Sequence, residues 1–151
     1  EETAALEAAG IDFRVVAGLT SAAAAAASIG QSLTRRGRNA SLTFLTGHDV
    51  AGFAEQDWRG LARPGAVAAI YMGKRAARFL QGRLLMHGAS PDTPVSLVEN
   101  ASRSDERIIA TSLAALPRDV AGVAGPAILL YGLSPRRGAA LLATPLKEAI
   151  Q

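Results

Sequence analysis

The sequence predicts an α/β domain with a mixed, mostly parallel sheet of about five or six strands and helices on its faces. Short runs of β-branched and aliphatic residues recur along the chain, as expected of buried strands. Alanine-rich or amphipathic stretches with helical period separate these runs. The run Ala66–Tyr71 is apolar almost throughout, which is typical of a strand buried on both faces of a parallel sheet.

The composition fits a single folded domain over residues 1–151. Of these residues 49% are hydrophobic and 19% are charged, so the chain is long enough to bury a core and too apolar to be disordered. It has no cysteine, which excludes disulfides, thiolate catalysis and cysteine-bound zinc. No apolar run reaches the roughly 20 residues of a membrane span, and we expect no signal peptide.

The net charge of +3 is a mild basic bias. A solvated surface explains it most simply, because net charge governs solubility before it indicates a function. The alternative is a cationic rim for a polyanion, which a nucleic acid or a polycarboxylate would fit. Aromatic residues make up only 5% of the chain and do not alternate with the basic residues, so no base-stacking surface is expected.

The chain begins with a predicted helix, strand and second helix. Glu1–Gly10 has helix composition, with acidic residues first and glycine last. Phe13–Val16 has strand character, and a turn at Ala17-Gly18 leads into Thr20, Ser21 and six alanines. Either hydroxyl can cap the helix by accepting bonds from its free N–H groups. A ligand contact is the alternative, because open α/β folds bind ligands beyond the carboxyl ends of strands.

A second predicted strand, Ser41–Thr46, runs into His48 and Asp49. The simplest interpretation of His48 is a turn or helix cap. Adjacent side chains on an extended chain point to opposite faces, so this pair does not make an obvious acid–base pair. The spacing also brings no three metal ligands together, and we expect no metal site. Trp58, in a short helix, is predicted to anchor the core.

The second half predicts four strands and three helices. Ala66–Tyr71 leads through Met72 into an amphipathic helix, Lys74–His87, which Gly88 ends. By its chemistry alone, Met72 would fill the core. Two strand runs joined by a short polar turn predict an antiparallel hairpin, followed by a short helix, a last strand and a final helix. The hairpin strands are Val95–Val98 and Arg107–Leu113, and the short helix is Leu113–Val120. The last strand is Ala127–Tyr131, and the final helix follows Ser134-Pro135.

Several short motifs in this order resemble the tetrapyrrole methylases, specifically the uroporphyrinogen-III C-methyltransferases, which also form the last domain of fused siroheme synthases. Phe13–Ser21 is similar to the family's VVPGxTA element, with Ala17 in place of its proline. The match keeps its order and approximate spacing from Glu1 to about Gly132. Its other motifs are Leu33-Thr34-Arg35-Arg36, Phe44-Leu45-Thr46-Gly47-His48, Asp57-Trp58, Tyr71-Met72-Gly73, Pro94-Val95-Ser96-Leu97-Val98-Glu99-Asn100-Ala101-Ser102, Arg107-Ile108-Ile109 and Pro126-Ala127-Ile128-Leu129.

The resemblance implies S-adenosyl-L-methionine as the cofactor, and it assigns cofactor contacts to Thr20, Ser21, Met72 and Ala101. It places His48 near the tetrapyrrole substrate. The implied reaction methylates two ring carbons of uroporphyrinogen III to give precorrin-2, for siroheme or cobalamin synthesis, and needs no metal. Independently of the family, the cofactor positions fall at or just after predicted strand ends, where ligands gather in α/β sheets.

The resemblance also implies that the chain is a carboxyl-terminal half. In the family, the general base, the proton donor and a glycine-rich cofactor loop lie in the amino-terminal half, so we expect no catalytic residue here and no methylation by this chain alone. A cytoplasmic homodimer without nucleic-acid or membrane partners is implied. The alternatives are another precorrin methylase, an RNA methylase of the same superfamily, or a non-catalytic dimerisation module.

Overall fold

The computed structural model describes residues 1–48, 52–53 and 55–136. These ranges contain five α-helices and five strands, together with a 3-10 turn at Val120–Gly122. No helix within them is long and apolar enough to cross a membrane. The elements are α1 Glu2–Ala8, α2 Ser21–Ser28, β1 Thr43–Thr46, α3 Trp58–Leu61, β2 Ala68–Tyr71, α4 Gly73–Met86, β3 Pro94–Glu99, β4 Arg107–Ser112, α5 Leu116–Asp119 and β5 Ala127–Tyr131.

The five strands of the described residues form one mixed sheet in the order β1-β2-β5-β3-β4. This confirms the α/β class, the mixed sheet and the β3–β4 hairpin. The prediction of a mostly parallel sheet is wrong, because only β1 and β2 are parallel and the other three pairings are antiparallel. The last strand, β5, inserts between β2 and β3 and runs opposite to both. Helices cover both faces, so an antiparallel strand there is as apolar as a parallel one.

Helices cover the two faces of the sheet differently. On one face, α2 lies close to the strands because Ala22 and Ala25 are fully buried and occupy little volume. On the other face, α3, α4 and α5 pack over a larger cluster that includes Leu80, Leu97 and Leu129. Trp58 belongs to this cluster and is 3% exposed, which confirms its predicted place in the core. The fold is therefore a three-layer arrangement of helix, sheet and helices.

The predicted strand Phe13–Val16 is wrong. Residues 11–20 belong to no helix or strand, and Val15 and Val16 are 76% and 71% exposed. A strand needs a neighbour to take its backbone hydrogen bonds, and none of the described residues pairs with this run. The helix predicted over Glu1–Gly10 is present as α1, but it has no buried residue.

The predicted helix boundaries are mostly confirmed. Helix α4 ends at Met86, and Gly88 follows in the left-handed conformation with φ of 90°. Pro117 does not break the short helix near it. It lies in the first turn of α5, where a missing N–H costs no helical hydrogen bond. The final helix predicted after Ser134-Pro135 lies outside the described residues.

Candidate functional site at the carboxyl edge of the sheet

Three strands end at one edge of the sheet, which we call the carboxyl edge. Because β2 and β3 are both antiparallel to β5, they run in the same direction, and β1 runs parallel to β2. The segments 47–48, 72–73 and 100–102 therefore follow the three strand ends at this edge. The turn 124–126, which precedes β5, lies beside them. Open α/β folds bind ligands in this position.

Backbone strain is concentrated at the carboxyl edge. Within the described ranges, the non-glycine residues with positive φ are Met72 at 50°, Asn100 at 53° and Ser102 at 66°. Side chains disfavour this left-handed conformation, at a cost of roughly 1–3 kcal/mol each when it is imposed. Met72 and Asn100 directly follow β2 and β3, and Ser102 lies two residues beyond Asn100. Such strain gathers at ligand sites, so it marks this edge as the candidate site.

A first cleft opens at the carboxyl edge beside β1 and β2. Its volume is about 440 Å³, and it is lined by His48, Met72, Lys74, Arg75 and the segment 124–127. Met72 is 59% exposed despite its apolar side chain. Its core-filling interpretation is therefore wrong, and the side chain is available to a ligand.

A second cleft lies on the other side of residues 126–127. Its volume is about 330 Å³. It is lined by Ser21, Tyr71, Val98, Asn100, Ala101, Arg103, Pro126, Ala127 and Ile128. Pro126 and Ala127 border both clefts, so the two cavities adjoin across this wall. A single extended ligand could therefore contact residues of both.

The structure groups four of the five predicted ligand residues into these clefts. Ser21 and Ala101 share the second cleft, and Met72 and His48 share the first. Thr20 lines neither. Its hydroxyl oxygen instead accepts a hydrogen bond from the backbone N–H of Ala23 at 3.2 Å, which makes it the N-cap of α2. The cofactor role of the four residues at the strand and helix ends stays a prediction.

Among the described residues, the His48 ring caps no helix. It packs edge-on against Phe53, with 6.0 Å between the ring centres. The backbone carbonyl of His48 accepts a hydrogen bond from the Thr46 hydroxyl at 2.8 Å, which holds the chain as it leaves β1. The imidazole is thus held in the lining of the first cleft.

A buried carboxylate holds the wall between the clefts. Glu99 is 3% exposed, and its Oε1 accepts the Gly125 N–H at 2.5 Å. Its Oε2 lies 3.0 Å from the Nη1 of Arg107, which forms an ion pair at the end of β3. Because removing one partner of a buried charge is costly, this pair gives the wall a fixed position.

Lys74 holds the same wall from the opposite side. Its ammonium donates hydrogen bonds to the carbonyls of Ala124 at 3.0 Å and Gly125 at 2.7 Å. A Cβ at Gly125 would lie 2.5 Å from the Oδ1 of Asn100, so a side chain there would displace the Asn100 amide. The sequence places Gly125 directly before Pro126, a pair typical of a turn. The bonds to it from Lys74 and Glu99 were missed, because they join segments far apart in sequence.

Gly73 has a structural role at the first cleft. A Cβ at this position would lie 3.0 Å from the Leu129 side chain and 3.2 Å from Ile70. Glycine therefore lets the first turn of α4 rest directly on the sheet. This contact places Met72, Lys74 and Arg75 at the mouth of the cleft.

Residues 1–117 match the protein family described as Tetrapyrrole (Corrin/Porphyrin) Methylases. The chain belongs to this family. It is 38% identical over 132 residues to a siroheme synthase of Psychromonas ingrahamii, covering 87% of this chain and 28% of that protein. It is 43% identical over 135 residues to a siroheme synthase of Gluconacetobacter diazotrophicus, covering 87% and 29%. The chain spans less than a third of the length of these relatives.

Solved tetrapyrrole methylase structures share the fold. One is a uroporphyrin-III C-methyl transferase from Thermus thermophilus complexed with S-adenyl homocysteine, with a TM-score of 0.70 and 29% identity, covering 87% of this chain and 57% of that chain. Another is a cobalamin biosynthetic enzyme, cobalt precorrin-4 methyltransferase, with a TM-score of 0.74 and 25% identity, covering 87% and 56%. The resemblance read from the motifs is thus confirmed at the level of the family and its fold.

Proposed function

We propose that this chain is the carboxyl-terminal half of a uroporphyrinogen-III C-methyltransferase that uses S-adenosyl-L-methionine and makes precorrin-2 for siroheme or cobalamin synthesis. One observation carries the proposal. In a chain of the tetrapyrrole methylase family, two adjoining clefts at the carboxyl edge gather Ser21, Met72 and Ala101, which are three of the four residues predicted to contact the cofactor.

The residues of the clefts fit this cofactor. The second cleft combines the small side chains of Ser21 and Ala101 with the polar groups of Tyr71 and Asn100, as a nucleoside requires. Met72 adds an exposed apolar surface at the adjoining cleft. The cofactor supplies an electrophilic methyl group to a nucleophilic ring carbon. The residues of this chain bind and orient the two reactants, which is a large part of catalysis when two molecules must meet.

We further propose that a preceding half of the protein covers residues 11–20 and contributes the catalytic groups. Two observations support this. The chain spans 57% of the structural relative from Thermus thermophilus, and the side chains of Val15, Val16 and Leu19 are all more than two-thirds exposed. Under this proposal the chain alone does not methylate. From the family resemblance, we also propose a cytoplasmic homodimer that acts on a small molecule, without nucleic-acid or membrane partners.

A second candidate is a methylase of a later precorrin. The cobalt precorrin-4 methyltransferase structure gives a TM-score of 0.74, slightly above the 0.70 of the uroporphyrin-III enzyme. The identities of 25% and 29% favour the uroporphyrinogen branch. Incubating the natural full-length protein with each tetrapyrrole and following methyl transfer by mass spectrometry separates the two.

The cofactor site is tested by calorimetric titration of S-adenosylhomocysteine into the natural full-length protein. Ala101→Leu fills the second cleft, and we expect it to weaken binding about tenfold or more, since an overfilled pocket loses both contact and room. The matched control is Ala110→Leu, at an exposed position on β4, with affinity within about twofold of the wild type. Thermal unfolding of both variants checks that they fold.

Each result has a distinct consequence. Wild-type affinity in Ala101→Leu would show that the second cleft is not the cofactor site. No binding by the natural full-length protein would overturn the methyltransferase proposal. Binding without methylation of any tetrapyrrole would favour the non-catalytic alternative.

A further inference from the structure

Among the described residues that line the first cleft, two are cationic and none is acidic. Lys74 and Arg75 line it beside His48, and its other side chains within the described ranges are apolar. Lys74 bonds to the carbonyls of Ala124 and Gly125, and no carboxylate in the described part of the chain pairs with it. Glu99 is the acid that reaches the adjoining wall. Its Oε1 accepts the Gly125 N–H, and its Oε2 lies 3.0 Å from the Nη1 of Arg107.

The two cations are held differently. Lys74 is fixed against the wall by its two hydrogen bonds. Arg75, one residue further along α4, is exposed and makes no hydrogen bond or ion pair with the described residues. A guanidinium offers a planar fork of donors that matches a carboxylate in a two-point contact. Arg75 is therefore the group of this cleft that can turn towards an incoming anion.

The remaining lining determines what kind of anion fits. Met72, Pro126 and Ala127 present an apolar floor, and Met72 is 59% exposed. A cleft of about 440 Å³ with an apolar floor and a cationic rim suits one side of an apolar macrocycle that bears carboxylate arms. A small inorganic anion would leave the floor uncovered.

We propose that Arg75 is a substrate-specificity residue that binds a carboxylate arm of the tetrapyrrole while the ring lies over Met72 and Pro126. This inference rests on the proposed function, which supplies a substrate with many carboxylates.

The probes are uroporphyrin III, with eight carboxylates, and coproporphyrin III, with four, titrated into the natural full-length protein and followed by porphyrin absorbance. Arg75→Gln is expected to weaken uroporphyrin binding about tenfold, as the loss of one charge-assisted contact implies, and coproporphyrin binding less. Arg75→Lys keeps the charge without the fork, and its affinity should be intermediate.

The matched control is Arg78→Gln, because Arg78 is exposed on the same helix but does not line the cleft. It should bind uroporphyrin within about twofold of the wild type, since a distant exposed charge is largely screened. Titration with S-adenosylhomocysteine on the same variants should give unchanged affinity. That readout separates a substrate contact from a loss of structure.

Equal weakening by Arg75→Gln and Arg78→Gln would overturn the inference in favour of a general surface charge effect. Unchanged uroporphyrin binding in Arg75→Gln would overturn it directly, as would an equal loss of S-adenosylhomocysteine affinity. If the wild-type protein binds S-adenosylhomocysteine but neither porphyrin, the inference is wrong and the cofactor assignment is unaffected. If the wild-type protein binds neither porphyrin and does not bind S-adenosylhomocysteine, both the inference and the proposed function are wrong.

Discussion

Residues 11–20 and strand β5 contain similar apolar side chains, but those of residues 11–20 are exposed and those of β5 are buried. Leu19 is 92% exposed and Val15 is 76% exposed, whereas Leu129 and Leu130 are fully buried between the helical layers. Removing apolar surface from water contributes about 25 cal/mol per Å², so the same residue types stabilise the domain in one place and contribute almost nothing in the other. Apolar composition creates structure only where a second surface is available to cover it.

This difference in burial is tested most directly by truncating one leucine to alanine in each region. Leu129→Ala should lower the free energy of unfolding by about 2–5 kcal/mol, because it removes buried contacts and leaves a cavity at the centre of the sheet. Leu19→Ala should change it by less than about 0.5 kcal/mol. Urea unfolding followed by circular dichroism measures both. A loss above about 1 kcal/mol for Leu19→Ala would show that residues 11–20 pack on the domain.

The elements that the sequence predicts correctly are those whose signals are local. Helix α4 has an amphipathic period and a glycine stop, and the β3–β4 hairpin has a short polar turn between two apolar runs. The run at Phe13–Val16 has equally good strand character but no neighbour to pair with. The place of β5 between β2 and β3 also has no local signal, because strand order is decided by competition among distant segments.

The candidate site likewise has features that the sequence predicts and features that it does not. Its location follows from the rule that ligands gather beyond strand ends, and the predicted positions Ser21 and Ala101 do line one cleft. The left-handed backbone at Met72 and Asn100 was not predictable, because neither residue type demands it. The hydrogen bond from Lys74 to the carbonyl of Gly125 was also not predictable, because it depends on a distance that only the folded chain defines.

Thr20 stands at the boundary of the two regions, and its replacement tests how the packed domain begins. Thr20→Ala removes the acceptor for the Ala23 N–H and should cost about 1 kcal/mol of unfolding free energy, whereas Thr20→Ser keeps the hydroxyl and should be nearly neutral. Chemical unfolding of the Thr20→Ala and Thr20→Ser variants measures this difference in unfolding free energy. Equal stabilities for the alanine and serine variants would mean that the cap contributes nothing and that Thr20 is free for another role.

The smallest expected effect concerns an exposed contact within the packed region. The hydrogen bond from Arg118, followed by that from the Thr111 hydroxyl, holds the pKa of the Asp119 carboxyl below its ordinary value. A lowered folded-state pKa adds stability above the unfolded pKa of about 3.9, and that stability is lost as the pH falls through the folded value.

Asp119→Asn should therefore destabilise the chain at pH 7, by less than about 1 kcal/mol because Arg118 is 80% exposed. The difference from the wild type should shrink as the pH falls below the unfolded pKa of about 3.9 and through the lower pKa of the folded state, where the carboxyl of the folded wild type becomes protonated. Urea unfolding at pH 7, 4 and 3 measures it, with Arg118→Gln as the control that removes the principal partner and should lose part of the same pH dependence. A deficit that stays constant across this range would assign the effect to packing. The packed region would then differ from residues 11–20 through burial alone, with no contribution from the charge of Asp119.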